Sequence, residues 1–459
     1  MVWSLRKSSL KDKNLKIVRM VKKKVPWISH LVDDPQVASD LNVQDTVSFK
    51  VPRKSFCPAC RGSKMLCGKE KCPIVVKFYS FLKVKPLLDK RVEGSSPPGV
   101  FVGRFGYPNV YVGPLVPPET GDTSLYDFPE KWFGLPIDSI VDFRMKLIRG
   151  NFKVNVKRPE KGGKFLELTR EIALSKTPVE TELELKDAPK KTFVLDDEVQ
   201  PLGPSAPMVN LDIGSYRTDH LIEKFYYDTD AKASEAVKEL YVRGVPVSRI
   251  QKALSVGIFG LRYQRTLVPT RWSITAVDSM ISNELIEKVR RFPLINEYRV
   301  YEAEYLDNRF LVIMLPSTWS YESIEAWYPG TLWNPTTENI FMIGDWEGYK
   351  GRTTYARMGG CYYAARLSVT EKLVREGRQA TVVVLREAHP GYILPVGVWF
   401  VRETVRKALS NPPKKFSSLQ EVFEYISGRF KIPLDVWLEN SKIFMDLMKQ
   451  EKITKYMKF

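Results

Sequence analysis

Four of the five cysteines lie within sixteen residues, as Cys57-x2-Cys60-x6-Cys67-x4-Cys72. Two short-spaced thiolate pairs can close a tetrahedron round one Zn²⁺. Gly62 and Gly68 allow the tight turns such a loop requires. Arg61, Lys64, Lys69 and Lys71 offset the negative charge of a four-thiolate site. Two disulfides or four separate thiols are the alternatives. Because all four coordination positions are filled, the expected ion is structural, not catalytic.

Two polar stretches have the residue types for chemistry. Gly260–Asp278 carries Arg262, Arg265, Arg271, Trp272 and several hydroxyls, a set suited to phosphate contact and base stacking. The glycine-rich stretch 344–363 carries Asp345, Glu347, Arg352 and Arg357. Here Asp345 and Glu347 are candidates for holding Mg²⁺ or Mn²⁺, or for acting as acid and base; surface ion pairing is the alternative. Asp278 and His389 complete the catalytic candidates. Cys361 stands outside the cysteine cluster and reads as a small apolar packing residue. No Gly-x-Ser-x-Gly elbow occurs, and Gly62–Lys69 has the wrong spacing for a phosphate loop, with Glu70 in place of the Ser/Thr. That excludes a purine-nucleotide motor.

Residues 450–457 have a separate signature. Gln450, Ile453 and Tyr456 fit Gln-x-x-aliphatic-x-x-aromatic, and Met457 stands where a second aromatic completes the pattern. Sliding clamps read peptides of this spacing; a fraying terminal helix is the alternative.

Behind these residues is a strongly basic chain. Its 459 residues predict more than one core. Lys and Arg outnumber Asp and Glu by 71 to 53, a formal charge of +18, which points to a polyanion such as DNA as partner. Residues 1–25 hold nine basic side chains and one acidic, the pattern of an arm on phosphate. No apolar core for a signal peptide follows them, and no run reaches membrane-span length. A soluble, cytoplasmic protein with no membrane partner is the expectation. The abundance of charge also fits a thermophilic source.

The patterning predicts an α+β fold: two mixed domains, a small zinc-binding loop near the N-terminus and a helical C-terminal extension. The expected divisions are a basic arm at 1–45, a first domain at 46–282, a second at 285–409 and an extension at 410–459. The first domain would contain the zinc loop at 57–72, a flexible or inserted segment at 176–207, and a helix pair at 231–256. Glycines alternate with aromatic and β-branched residues over 99–114, with a hairpin turn at Tyr107–Asn109. Helices are expected over 138–149, stopped by Gly150, and over 361–376, stopped by Gly377. In the helix pair, Ser248, Arg249, Gln251 and Lys252 would face a DNA groove if the pair were a helix-turn-helix; simple packing is the alternative.

Taken together, Cys57–Cys72, Gly103–Leu115, Leu267–Asp278 and Gly359–Arg366 resemble the archaeal Nre family of DNA repair proteins. The resemblance spans residues 45–405. It implies a zinc-bearing N-terminal domain, a distinct C-terminal domain and a role in the DNA damage response. One subgroup of the family carries a C-terminal peptide for the sliding clamp PCNA, which Gln450, Ile453 and Tyr456 match, while Met457 departs from it. The expected function is therefore DNA binding through basic side chains, Arg104 among them, together with clamp binding. The alternatives are an enzyme acting on DNA or a nucleotide-derived group, at a cleft built from Arg104, Arg271, Trp272, Asp345, Glu347 and Arg352, or an RNA-processing protein.

Overall fold

A computed structural model describes residues 48–50, 71–84, 87–189, 192–194, 202–331, 334 and 339–456. Cys57, Cys60, Cys67, the basic arm and Met457 lie outside them. The described chain forms two compact units. The first takes the residues up to Ala236 with Ser248–Ser273 and Ile393–Val396, and the second takes Val237–Val247, Ile274–Tyr392 and the chain from Gly397 onward.

The first unit begins with β1 (Ser48–Lys50), helix α1 (Pro73–Val84), β2 (Arg91–Ser96), β3 (Val100–Val102) and β4 (Asn109–Val116). It continues through α2 (Ile137–Lys146), β5 (Ile148–Asn155), α3 (Gly163–Leu174), β6 (Val179–Leu185), β7 (Thr192–Val194) and β8 (Ser205–Ile213). Six strands form a mixed sheet in the order β2-β6-β8-β5-β4-β3, in which only β5–β8 is parallel. Strands β1 and β7 pair separately.

Two expectations need correction here. The segment 176–207, read as flexible or inserted, contains β6 between β2 and β8. Its Val-Glu-Thr-Glu-Leu-Glu-Leu alternation buries every second residue, the period-2 pattern of a strand with one wet face. Gly150 ends no helix: α2 stops at Lys146, and Gly150 lies in β5, where a side chain on the opposing Gly113 would fall 1.7 Å from its carbonyl oxygen. That close approach is what requires glycine.

After β8 come α4 (His220–Tyr227), α5 (Ala233–Val242), α6 (Val247–Ser255) and the 20-residue α7 (Thr270–Val289). The α5–α6 turn passes through Gly244 at φ 81°, a conformation that glycine adopts at little cost.

The second unit contains β9 (Tyr298–Tyr305), β10 (Asn308–Leu315), β11 (Ser320–Trp327) and β12 (Phe341–Glu347). Next are α8 (Gly360–Glu376), β13 (Thr381–Ala388), α9 (Trp399–Ser410) and β14 (Lys414–Phe416). Helices α10 (Leu419–Ser427), α11 (Leu434–Asn440) and α12 (Lys442–Tyr456) follow. The sheet runs β12-β11-β13-β10-β9-β14 and is antiparallel except at β11–β13.

Strands β10 and β13 are almost wholly buried, because both of their faces are covered. Leu311, Ile313 and Leu315 pack on one side with Val422, Trp437 and Phe444 of the last helices. On the other side Phe310 meets Phe400 of α9, with ring centroids 5.8 Å apart. The result is a sheet between two helical layers.

Candidate nucleic-acid interface

The β3–β4 hairpin is held firmly in the first unit. The Gly103 amide donates to the Tyr111 carbonyl at 2.8 Å, and the Asn109 amide to the Gly106 carbonyl at 2.9 Å. Gly106 turns the tip at φ 80°, and the Tyr107–Pro108 peptide is cis. Outside the hairpin, Pro108 O accepts from the Val156 amide at 2.8 Å, and the Val102 amide donates to Thr270 Oγ1 at 2.9 Å. The first turn of α7 therefore lies beside the hairpin. Trp272, on that turn, meets Tyr107 with ring centroids 5.3 Å apart and planes at 51°.

Large rings are left in water on this face. Phe105 is 81% exposed, Tyr111 52%, Tyr107 47% and Trp272 46%. Exposed apolar groups that no fold requires mark binding surfaces. The Arg104 guanidinium stands 5.0 Å over the Phe105 ring. Tyr111 is directly opposite Lys153 of β5, and Arg271 is exposed beside Trp272. Residues 94–118, 143–159 and 240–277 contain no Asp or Glu. These stretches supply the hairpin, β5 and the first turn of α7, so the elements that present these cations and rings carry no carboxylate of their own. Arg104, Arg271 and Trp272 were marked by residue type. Phe105, Tyr107, Tyr111 and Lys153 were not, and the carboxylate-free stretches are the signal that finds them.

Other sequence candidates have different surroundings. Arg265 donates Nε to Gly260 O at 2.8 Å, Nη1 to Tyr226 O at 2.6 Å and Nη2 to Phe225 O and Asp228 O at 3.0 and 2.5 Å. Burial and the neighbouring Arg170 lower its basicity, and its donors close the end of α4 rather than facing a ligand. Arg262 is exposed, with its guanidinium 5.9 Å from the Tyr263 ring centroid.

The groove reading of the helix pair is overturned. Ser248 donates to Glu130 at 2.8 Å, Arg249 has 11% of its side chain exposed, Gln251 is buried, and Lys252 pairs with Asp127 at 2.8 Å. The face that would enter a groove is packed into the first unit.

In the second unit, Asp345 organises the loop after β12. Its Oδ2 accepts from Arg352 Nη2 at 2.9 Å and from the Arg357 amide at 2.8 Å, and its Oδ1 accepts from the Trp346 amide at 2.9 Å. Arg357 Nη2 also donates to Gly344 O at 3.1 Å. Burial pushes the Asp345 carboxyl up, but these donors outweigh it and hold it below the usual range. A depressed carboxyl contributes stability above its unfolded value, about 3.9, that is lost as pH falls through the lower folded value. Proteolysis of residues 348–358 in wild type should therefore stay constant from pH 8 to about 5 and rise only below about pH 4. Asp345→Ala should be cut quickly at every pH. A variant as resistant as wild type at neutral pH contradicts this assignment.

Glu347 is buried, and its Oε2 accepts from Arg366 Nη1 at 2.7 Å and Tyr362 OH at 3.2 Å. Its Oε1 is buried with no hydrogen-bond partner. Arg366 also donates to Ser282 Oγ at 3.1 Å and Asn283 Oδ1 at 2.8 Å. Asp278 is buried against Arg402, whose Nη1 lies 2.9 Å from both carboxylate oxygens. His389 Nε2 is 3.1 Å from Glu387 Oε1, and its ring stacks on Tyr328. Burial pushes the Cys361 thiol up, in keeping with a packing role.

Two further sequence candidates lie only partly within the described residues. Cys72 immediately precedes α1, and its carbonyl accepts from the Val76 amide at 3.1 Å. The residues Gln450, Ile453 and Tyr456 lie in α12, whose start is anchored by Glu322 of β11. The Glu322 carboxylate accepts from Ser441 Oγ at 2.5 Å and from the Lys442 and Ile443 amides at 2.8 and 3.1 Å. Among the described residues, no helix is long and apolar enough to cross a membrane.

Residues 66–334 match the family model described as Archaeal Nre, N-terminal, and residues 347–456 match Archaeal Nre, C-terminal. The chain belongs to the archaeal Nre family. Among its Nre relatives, DNA repair protein NreB of Archaeoglobus fulgidus is 43% identical over 388 residues, 84% of this chain and 96% of the relative. DNA repair protein NreA of the same organism is 36% identical over 374 residues, 81% of this chain and 93% of the relative. NreA of Haloferax volcanii is 36% identical over 348 residues, covering 72% and 82%. No solved structure matches this Nre chain.

Proposed function

We propose that this Nre protein is a DNA repair factor that binds DNA through the first unit and the PCNA sliding clamp through Gln450–Met457. The observation that carries the reading is the likeness, over most of both chains, to proteins named DNA repair protein. The surface of cations and rings round Arg104, Arg271 and Trp272 supports DNA as the polyanion, since phosphate contact gives affinity and rings accept bases. Exposed Arg262 is a further phosphate contact in this reading, whereas Arg352 and Arg357, expected from residue type to meet phosphate, are held by Asp345 and Gly344 in the second unit.

Zinc is the proposed structural cofactor. Cys57, Cys60, Cys67 and Cys72 supply a complete thiolate set, and Cys72 sits at a helix start, where negative charge is favoured. In the clamp contact, Ile453 and Tyr456 would fill an apolar pocket with Gln450 beside it. The last turns of α12 would then rearrange into a 3₁₀ turn, while Glu322 keeps the base of the helix in place.

The test is a panel of end-labelled single-stranded, duplex, nicked and forked DNA, incubated with the full chain and with clamp, Mg²⁺ or Mn²⁺. Retention of unaltered DNA and a clamp complex weakened at least tenfold by Tyr456→Ala are expected. DNA changed in length or mass would make the protein an enzyme instead, with Asp345, Glu347, Asp278 and His389 the first residues to replace. Clamp affinity unaffected by Tyr456→Ala would remove the peptide reading.

A further inference from the structure

We propose, resting on the DNA-binding reading above, that the β3–β4 hairpin is a stacking platform that selects unpaired bases of single-stranded DNA over duplex.

Phe105 and Tyr107 project large rings from the turn, and Trp272 adds a third. None of these three offers a pattern of hydrogen-bond donors able to tell one base edge from another. Of the neighbouring polar groups, the Arg104 guanidinium lies over Phe105, and Asn109 Oδ1 accepts from Asn155 Nδ2 at 3.1 Å. A two-stranded ribbon that reads a major groove needs free amide or guanidinium forks at its tip. This ribbon has rings there.

Stacking requires an uncovered base face. In duplex DNA each face is covered by the next base pair, whereas an unpaired strand offers a face at every nucleotide. The platform has uncovered faces of its own: at 51° to each other, the Tyr107 and Trp272 rings are not stacked face to face. It is also rigid. Hydrogen bonds fix the hairpin backbone at Gly103, Gly106, Pro108 and Val102, so the strand and turn that carry the rings need not be ordered on binding, which limits its entropic cost.

Charge completes the match. Arg104, Lys153 and Arg271 flank the rings, and the stretches that build the patch contain no carboxylate. Cations beside ring faces hold the phosphates while the bases stack, an arrangement that tolerates any sequence. A nucleic acid supplies both the negative charge and the flat faces that these cations and rings match.

The experiment measures anisotropy of labelled oligo(dT), a duplex of equal length and oligo(U), with the full chain, at two salt concentrations. Phe105→Ala and Tyr107→Ala are the test variants, and both side chains are exposed enough to leave the fold intact. Phe341→Ala, which removes an exposed ring in the second unit, is the control. Wild type should bind oligo(dT) at least tenfold tighter than duplex. Each test variant should lose about tenfold on oligo(dT) and little on duplex, in line with one stacked base per ring. Tryptophan quenching by oligo(dT) should diminish in Trp272→Phe.

Equal binding of oligo(dT) and duplex, with Phe105→Ala neutral, would overturn the platform and leave the DNA-binding reading intact. Absence of binding to any of the three would sink both. Tighter binding of oligo(U) than of oligo(dT) would overturn the choice of DNA.

Discussion

Replacing Arg402 by methionine should destabilise the second unit by about 3–5 kcal/mol, the usual cost of removing one partner from a buried ion pair. Asp278 and Arg402 are both buried, and one guanidinium nitrogen, Nη1, lies 2.9 Å from each carboxylate oxygen. Without that guanidinium a buried carboxylate loses its main counter-charge and must stay charged at a cost or take up a proton. The disturbance should spread, because Arg402 Nε also donates to Glu403 at 3.3 Å. Glu403 binds Arg406, which pairs with Glu371, and Glu371 accepts from Tyr241 OH at 3.0 Å. Thermal unfolding should shift down by on the order of 10 °C. Replacing both members, as in Asp278→Leu with Arg402→Met, should recover much of the loss, since an apolar pair of similar volume is often neutral. A single variant within about 1 kcal/mol of wild type would show that the pair is not holding α7 to α9.

The second large effect concerns zinc. On the proposed four-thiolate site, wild type should carry one zinc per chain, and Cys60→Ser should lower that content and accelerate amide exchange over residues 50–75. The coupling is large, because binding of a structural zinc contributes about 10–16 kcal/mol that is linked to folding of its loop. Chelation of the wild-type protein should produce the same exchange pattern. Unchanged zinc content in Cys60→Ser, or a pair of disulfides found by mass spectrometry under oxidising conditions, would contradict it.

Much of the second unit was legible, because its signals are local. Leu306 and Asp307 turn between β9 and β10 at φ 47° and 53°, one residue before the Asp307-Asn308 pair that marks a hairpin in the sequence. Gly377 closes α8 in the left-handed region at φ 60°. The extension at 410–459 was legible as helical but not in its divisions: the chain breaks at Ser441, where Glu322 of a distant strand takes the amides of the next helix. No local signal reports that contact. Strand β6 was hidden by reading charge as a loop signal when its spacing was that of a half-buried strand.

The candidate site was legible by residue type but not by placement. Arg265 and Arg271 are equivalent as letters, yet one is engaged by four carbonyls while the other is exposed. Asp278 looked like a catalytic acid until its partner arrived from 124 residues away. Exposure of Phe105 and Tyr107 depends on the hairpin turning outward, which composition alone does not dictate.

In the proposed function, DNA is held by the cations round the hairpin of the first unit. The most direct test is the dependence of DNA affinity on salt for wild type and for Arg104→Ala combined with Lys153→Ala and Arg271→Ala. Each phosphate contact contributes about 0.7 (single strand) to 0.9 (duplex) to the slope of log K against log salt. The triple variant should bind more weakly at low salt, with a slope shallower by about two. An unchanged affinity and slope would place the DNA elsewhere on the chain and contradict the account.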